Sequence, residues 1–284
     1  MKVLRTVADV RAWRAGAGRV GFVPTMGALH AGHMSLVERA VRETDAAIAS
    51  VFVNPTQFGP NEDFTAYPRR EAEDVALLEK HGCAVAFVPP VAEVYPPGDA
   101  TRVTPGPIAA PLEGAARPGH FVGVATVVAK LLAIVRPDIA FFGQKDFQQL
   151  RVLQTMARDL RLGAEIVGCA TVREPDGLAM SSRNAYLTPE QRLDAVALSR
   201  GLFRAREMWE QGERKPVSLS NAVRRYVDAP GIALEYVSVA DPLTLAELEL
   251  GVPADNAVIS LAARVGKARL IDNVLLGMKI EELA

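Results

Sequence analysis

Between Arg19 and Val172 the chain repeatedly sets a short, continuously apolar run ahead of a longer stretch with helical spacing, and this alternation restricts the fold more than any other feature. The runs are 19–26, 47–53 (AIASVFV), 84–89 (AVAFVP), 138–142 (DIAFF) and 165–172 (EIVGCATV). They are apolar throughout rather than at every second residue, so each predicted strand is covered on both faces. Spacing predicts helices over 33–44, 69–81, 120–135 and 146–160. The second carries Glu and Asp in its early turns and stops at His81-Gly82, with His81 a helix-end residue. Strands alternating with helices predict an α/β fold built on a Rossmann-like, doubly wound parallel sheet.

Two regions break the rhythm. Residues 89–118 are crowded with proline and glycine and read as a long loop or inserted lobe. After "REPDGLAMSSRN" a long helix is expected near 189–211 and a shorter one near 217–228, followed by strand-like "IALEYVSVAD", "NAVISLAARV" and "ARLIDNVLL". Helices followed by strands that pair as hairpins describe a smaller α+β domain. The expected division is 1–176 and 185–284, with 177–184 as a hinge.

The 284 residues are 49% hydrophobic, enough to bury a core, and 32 basic residues face 33 acidic ones. The basic residues form no long run, so nucleic acid is not an expected partner. Cys83 and Cys169 are far apart and outside any CxxC spacing, which suggests neither a disulfide framework nor a thiolate zinc site and fits a reducing compartment. Neither an apolar leader region nor a run of about 20 apolar residues is found. A soluble protein of the cytoplasm with no membrane partner is the expectation.

Two of the four histidines stand three residues apart in "PTMGALHAGH". With Val20 to Met26 as a strand and a helix starting near His33, His30-Ala31-Gly32-His33 occupies a strand-to-helix turn at the carboxyl end of the sheet, where open α/β folds bind ligands. Gly32 allows close backbone approach, and the amides of a new helix favour an anion. Imidazoles placed there donate to phosphate oxygens. Two other readings stay open at this stage: a pair of zinc ligands, and a helix start with incidental histidines. "FFGQKDFQQL" repeats the pattern, with Gly143 at a turn, Lys145 placed as a point charge for phosphate and Asp146 at a helix N-cap. "LAMSSRN" sets two hydroxyls beside a guanidinium. Each also reads as a capped helix or an exposed polar linker.

The segments "VPTMGALHAGHMSLV", "VFVNPTQFGPNEDFTAYPR", "RPGHFVGVATVVAKLLAIVRPDIAFFGQKDFQQL" and "VREPDGLAMSSRN" resemble, in order, those of the pantoate–β-alanine ligase family. That family lies within the nucleotidyltransferases with HIGH-type and KMSKS-type signatures. The resemblance covers nearly all of the first 190 residues and is looser beyond them.

It implies an ATP-dependent ligase that condenses (R)-pantoate with β-alanine through a pantoyl adenylate, releasing AMP and pyrophosphate. Met26, Gly27, Ala28, Leu29, His30, Ala31, Gly32 and His33 would form the ATP turn, with His33 as proton donor. Gly143, Gln144, Lys145 and Asp146 would extend the nucleotide site, as would Val172 through its backbone and Met180. Lys145, Ser181, Ser182 and Arg183 would hold the β- and γ-phosphates. Gln57 and Gln149 would bind pantoate, Gln57 also reaching β-alanine; Asn54 and Tyr67 are weaker candidates nearby. His120 belongs either to a flap over the site or to a helix start. Magnesium on the phosphates, with no protein ligand named, and a homodimer are also implied. Two rival functions remain: a nucleotidyltransferase whose adenylyl group stays on the product, and a module that senses ATP without chemistry.

Overall fold

A computed structural model describes residues 1–60, 62 and 64–283. Asn61 and Asp63 of the "GPNEDF" segment, and Ala284 at the end of the expected second domain, lie outside the described residues. The chain forms two compact units, one of Met1–Gly143 and Gln148–Cys169, the other of Gln144–Phe147 and Ala170–Leu283.

The first unit runs β1 (Lys2–Leu4), α1 (Val7–Arg14), β2 (Val20–Thr25), α2 (Ala31–Glu43), β3 (Ala46–Val51), α3 (Glu71–Lys80), β4 (Val85–Phe87), α4 (Val91–Val94), α5 (Glu113–Ala116), α6 (His120–Val135), β5 (Ile139–Gly143), most of α7 (Phe147–Asp159) and β6 (Glu165–Cys169). Its sheet is six-stranded and parallel, in the order β1-β4-β3-β2-β5-β6. Strand order reverses at β2 and β5, so the loops leaving these two neighbours bound the topological switch point.

The continuous apolar runs are explained by two-sided burial. Val23, Ala49 and Phe141 join a core with Met34, Val37 and Ala40 of α2 and Leu78 of α3. Phe22, Ile48 and Phe87 alternate to the other face and are fully buried, each contributing about 1.5–3 kcal/mol relative to exposure. The apolar α6 packs against β2 and α1.

The short elements β1 and α1 escape the sequence reading, as do the four-residue helices α4 and α5 within 89–118. Three residues at a sheet edge carry too little periodicity to register, and α1 is started by a local cap in which the Thr6 side chain accepts from the Asp9 amide at 3.1 Å. The 89–118 segment belongs to the first unit and is tied to it by polar side chains. Lys130 donates to the Val94 carbonyl and the Asp99 carboxylate, and buried Gln148 donates to the Ile108 and Pro111 carbonyls while accepting from the Glu113 amide.

The second unit contains α8 (Pro189–Glu210), α9 (Pro216–Val227), β7 (Ile232–Ala240), β8 (Ala257–Val265) and β9 (Ala268–Leu276). Its three strands pair antiparallel in the order β7-β8-β9. Leu198, Leu202, Leu219 and Val223 of the helices share one core with Ile259, Leu261 and Val274 of the strands. α8 begins with a capping box between Thr188 and Gln191, and Pro189 occupies its first turn. No helix among the described residues is long and apolar enough to cross a membrane.

Candidate nucleotide and acid sites

The helix α2 starts at Ala31, two residues before the expected position, and this makes His30 its N-cap. His30 Nδ1 accepts from the Gly32 amide at 3.2 Å, and His33 Nδ1 accepts from the His30 amide at 3.4 Å. With Nδ1 as acceptor in both rings, the proton of each neutral imidazole sits on Nε2, which becomes the donor. The ring centroids are 4.1 Å apart. The two histidines are therefore at once the cap of the helix and a pair of donors beside its N-terminal amides.

The turn before them is strained and braced. Gly27 has φ +84° and Ala28 φ +50°, a left-handed conformation that costs a non-glycine residue about 1 kcal/mol. Asp74 of α3 offsets that cost, its carboxylate accepting from the Ala28 amide at 3.0 Å and the Leu29 amide at 2.8 Å. A Cβ on Gly27 would lie 2.8 Å from the Asp74 carboxylate, so glycine serves both the φ and the close approach. Asp74 is only 3% exposed. Burial pushes its carboxyl above the ordinary range, and the two amide bonds work in the opposite direction. Read in sequence, Asp74 is one acid among several in a helix first turn; only the fold makes it a clamp.

Gln57 follows β3 on a short 3-10 turn, Pro55–Gln57. Its Nε2 lies 3.2 Å from Met26 Sδ, which brings together two residues expected at the site. Asn54 is buried and donates to Gln57 Oε1 at 3.0 Å. Behind this turn Gly123 of α6 makes a close backbone approach: a Cβ there would be 2.3 Å from the Thr56 carbonyl. His120 is the first residue of α6 and is buried. Its Nδ1 lies 2.9 Å from the Gln57 carbonyl and its Nε2 lies 3.0 Å from an Arg117 nitrogen, so the ring is neutral, with Nδ1–H donating. Burial, then the Arg117 charge, lowers its pKa to about 4. Arg117 also grips Glu62 through two bonds of 2.6 and 2.7 Å; despite the opposing effect of burial, these hold that carboxyl down to about 2. Tyr67 is buried with its ring edge-on to Phe58. Gln149 is half-buried on α7, whereas its neighbour Gln148 is consumed by the 108–113 backbone. His81 caps the end of α3 and meets Glu38 at 2.8 Å.

In the second unit the "VREPDGLAM" segment folds back on itself. Arg173 bridges to Ala179, and the Met180 amide donates to the Val172 carbonyl at 3.0 Å, which sets those two expected residues side by side. Ser181 then caps the 3-10 turn Ser182–Tyr186, its hydroxyl accepting from the Arg183 amide at 3.3 Å. The Asn184 amide group donates to the Glu174 carboxylate and the Ala179 carbonyl, closing the loop. Arg192 of α8 anchors Glu174 at 3.0 Å and Asp176 at 2.8 Å. A small, mainly apolar pocket of this unit, with Leu178, Leu198 and Leu270 in its wall, is also lined by Lys145 and Ser181. Asp146 is half-exposed, 3.6 Å from Lys145, and immediately precedes α7.

Two residues of β9 hold these segments, and sequence reading assigned them only to a strand. Asn273 Nδ2 donates to the carbonyls of Gln144 and Lys145, both at 2.9 Å. Buried Asp272 pairs bidentately with Arg173 at 2.7 and 2.9 Å. The available signal was the Asp-Asn pair interrupting an otherwise apolar run, since buried polar residues require partners.

No three His, Cys, Asp or Glu side chains among the described residues form a group suited to a metal ion. The HxxH pair therefore lacks, among those residues, the further protein ligands that a zinc site uses. Magnesium, which keeps waters and takes most of its other ligands from phosphate, fits such a donor set. Cys83 and Cys169 are free and buried, and burial pushes the Cys83 thiol to about 11.

The sequence profile of the family described as pantoate-beta-alanine ligase matches residues 2–275. Pantothenate synthetase of Roseiflexus sp. (strain RS-1) is 55% identical over 278 residues, covering 97% of this chain and 99% of its own. The same enzyme of Myxococcus xanthus (strain DK1622) is 51% identical over 280 residues, covering 97% and 96%. Crystalline pantothenate synthetase from Thermus thermophilus superposes with a TM-score of 0.91 at 49% identity, over 96% of this chain and 99% of that one. Pantoate-beta-alanine ligase from Francisella tularensis, complexed with beta-gamma ATP and beta-alanine, superposes with a TM-score of 0.79 at 35% identity, over 98% and 99%. The chain thus belongs to the pantoate–β-alanine ligase family.

Proposed function

We infer that this chain joins (R)-pantoate to β-alanine at the expense of ATP, which is cleaved to AMP and pyrophosphate. The observation that carries the reading is the His30/His33 cap, where two Nε2 donors stand at a helix N-terminus that leaves the carboxyl end of β2 at the switch point. Family membership supplies the acid and amine substrates.

In the first step a pantoate carboxylate oxygen attacks the α-phosphorus and the bond to the β-phosphate oxygen breaks. His33, with His30, donates to the phosphoryl oxygens as charge shifts onto them. Lys145, Ser181, Ser182 and Arg183 carry the β- and γ-phosphates and stabilise departing pyrophosphate. In the second step the β-alanine amine attacks the acyl carbon, a proton leaves the nitrogen and AMP is expelled. Gln57 and Gln149 hold pantoate without neutralising its nucleophilic oxygen, because an amide carries no charge. Met26 to Ala31, Gln144, Val172 and Met180 complete the nucleotide contacts. Gly32 and Gly143 keep the backbone open where it approaches. The amides of Ala28 and Leu29 are engaged by Asp74, so these two residues shape the turn rather than donate to phosphate.

Magnesium would shield the phosphate charges when bound, with phosphate and water as its main ligands; Asp146, beside Lys145, is the carboxylate that would help hold it. The compartment we infer is the cytoplasm, supported by the two free, buried cysteines. A homodimer is inferred from the family resemblance, and sedimentation at micromolar concentration tests it.

The test of the reaction is AMP formation with ATP, magnesium, pantoate and β-alanine, omitting each in turn. AMP should require both acids for steady turnover. A product that retains the adenylyl group would instead identify the rival transferase, and binding of ATP without any cleavage would identify a sensor.

A further inference from the structure

Tyr95 lies in the proline-rich 89–118 stretch, where sequence reading placed no functional residue. Its hydroxyl donates to Asn54 Oδ1 at 2.8 Å and lies 3.1 Å from the Thr56 hydroxyl. The ring is flanked by cations: Lys130 Nζ is 5.0 Å and the Arg102 guanidinium 6.0 Å from its centroid. Both cations are themselves fixed on Asp99, at 2.7 and 3.1 Å. Burial pushes the phenol above its ordinary range, which keeps it a donor.

Asn54 is 1% exposed and uses both ends of its amide. Its Nδ2 donates to the Gly123 carbonyl at 3.2 Å and to Gln57 Oε1 at 3.0 Å. Its Oδ1 accepts from the Thr56 amide, the Thr56 hydroxyl at 3.0 Å and Tyr95. A backbone carbonyl and a backbone amide therefore fix which end of Asn54 is which. It follows that the Gln57 atom facing Asn54 is its oxygen, and that the end turned to a ligand is Nε2, which directs one hydrogen at Met26 Sδ and has a second to donate.

We propose that Tyr95 is a positioning residue for pantoate, acting through Asn54 to hold the Gln57 amide with its donors toward the acid's carboxylate and hydroxyl oxygens. The inference rests on Gln57 as a pantoate ligand. Without the hydroxyl of Tyr95, Oδ1 of the buried Asn54 loses the shortest of its three hydrogen bonds, and the Asn54–Gln57 pair is held less closely in the position that aims Nε2 at the carboxylate.

Tyr95→Phe removes one oxygen and keeps the ring between its cations. Pantoate-dependent exchange of pyrophosphate into ATP, run without β-alanine, isolates the first step. The expected result is a pantoate KM raised roughly 5- to 30-fold, the range for one lost buried hydrogen bond, with the ATP KM and thermal midpoint nearly unchanged. In a Gln57→Ala background Tyr95→Phe should add less than about 2-fold, because the group it orients is gone. Asn54→Asp, which turns the donor facing Gln57 into an acceptor, should raise the pantoate KM in the same selective way. Equal changes in both KM values, full additivity with Gln57→Ala, or an unchanged pantoate KM in Tyr95→Phe would each overturn the proposal. A wild-type enzyme with no pantoate-dependent exchange would overturn the proposed function instead.

Discussion

The turn 26–33 of the first unit and the loop 172–184 of the second are both assigned to phosphate, yet they are held by opposite means. The first is braced from inside: a buried carboxylate accepts two consecutive amides, and two imidazoles cap the helix that follows. The second is held by charge pairs reaching toward solvent, with Arg192 on Glu174 and Asp176, plus one buried pair, Arg173 on Asp272. A buried neutral-to-ionic clamp changes little with salt, whereas half-exposed ion pairs are screened and weak. The contrast implies a preset turn and an adjustable loop.

The comparison is broken most severely at the reacting groups. His33→Ala should lower the adenylation rate by roughly two to four orders of magnitude with the fold intact, the span for acid–base and charge-stabilising groups. Single-turnover pyrophosphate release measures it, and normal turnover would remove the role given to His33.

Asp74→Ala comes next. It leaves two amides without their acceptor and the Ala28 strain uncompensated, so about 2–4 kcal/mol of stability should be lost, together with an increased KM for ATP. Asp74→Asn, which offers one acceptor oxygen, should fall between. Chemical denaturation with ATP kinetics checks both; a stability loss without any change in ATP KM would mean that the clamp serves folding alone.

His120 gives a pH test. Its folded pKa, about 4, lies below the ordinary 6.5, so the unfolded chain binds more protons between those values. Its stabilising contribution is complete above about pH 6.5 and fades as pH falls toward 4, by at most roughly 3 kcal/mol. Glu62, lowered from 4.5 to about 2, adds a second loss as pH falls from about 4.5 toward 2. Thermal midpoints of wild type and His120→Asn across pH 4 to 7 should therefore converge at the acid end. Parallel curves would contradict the neutral, donating ring.

The smallest effect is expected at Arg192→Ala, where a half-exposed pair contributes about 0–1 kcal/mol. The ATP KM should rise only 2- to 5-fold, on the order of the energy of such a pair, and less of a difference from wild type should remain in 0.5 M salt. A larger, salt-independent effect would show that the second loop is as rigid as the first and dissolve the contrast.

Sequence alone determined the class of fold and the strand-to-helix turns on which the histidines and Lys145 sit. Continuous apolar runs demand two-sided burial, and only a covered parallel sheet supplies it, so the strands at 20–25, 46–51, 85–87, 139–143 and 165–169 were legible to within a few residues. The histidines at a strand-to-helix turn and the Lys and Ser residues of the later loops were legible because their chemistry and their place in the local pattern coincide. Tertiary structure alone decided what holds them. Asp74, Tyr95, Asn273 and the Arg173–Asp272 pair act on residues between 41 and 129 positions distant, or 99 within the pair, through one or two hydrogen bonds each. Periodicity reports which face of an element is buried; it carries no information about which distant backbone amide a buried oxygen will meet, because that depends on how whole elements pack.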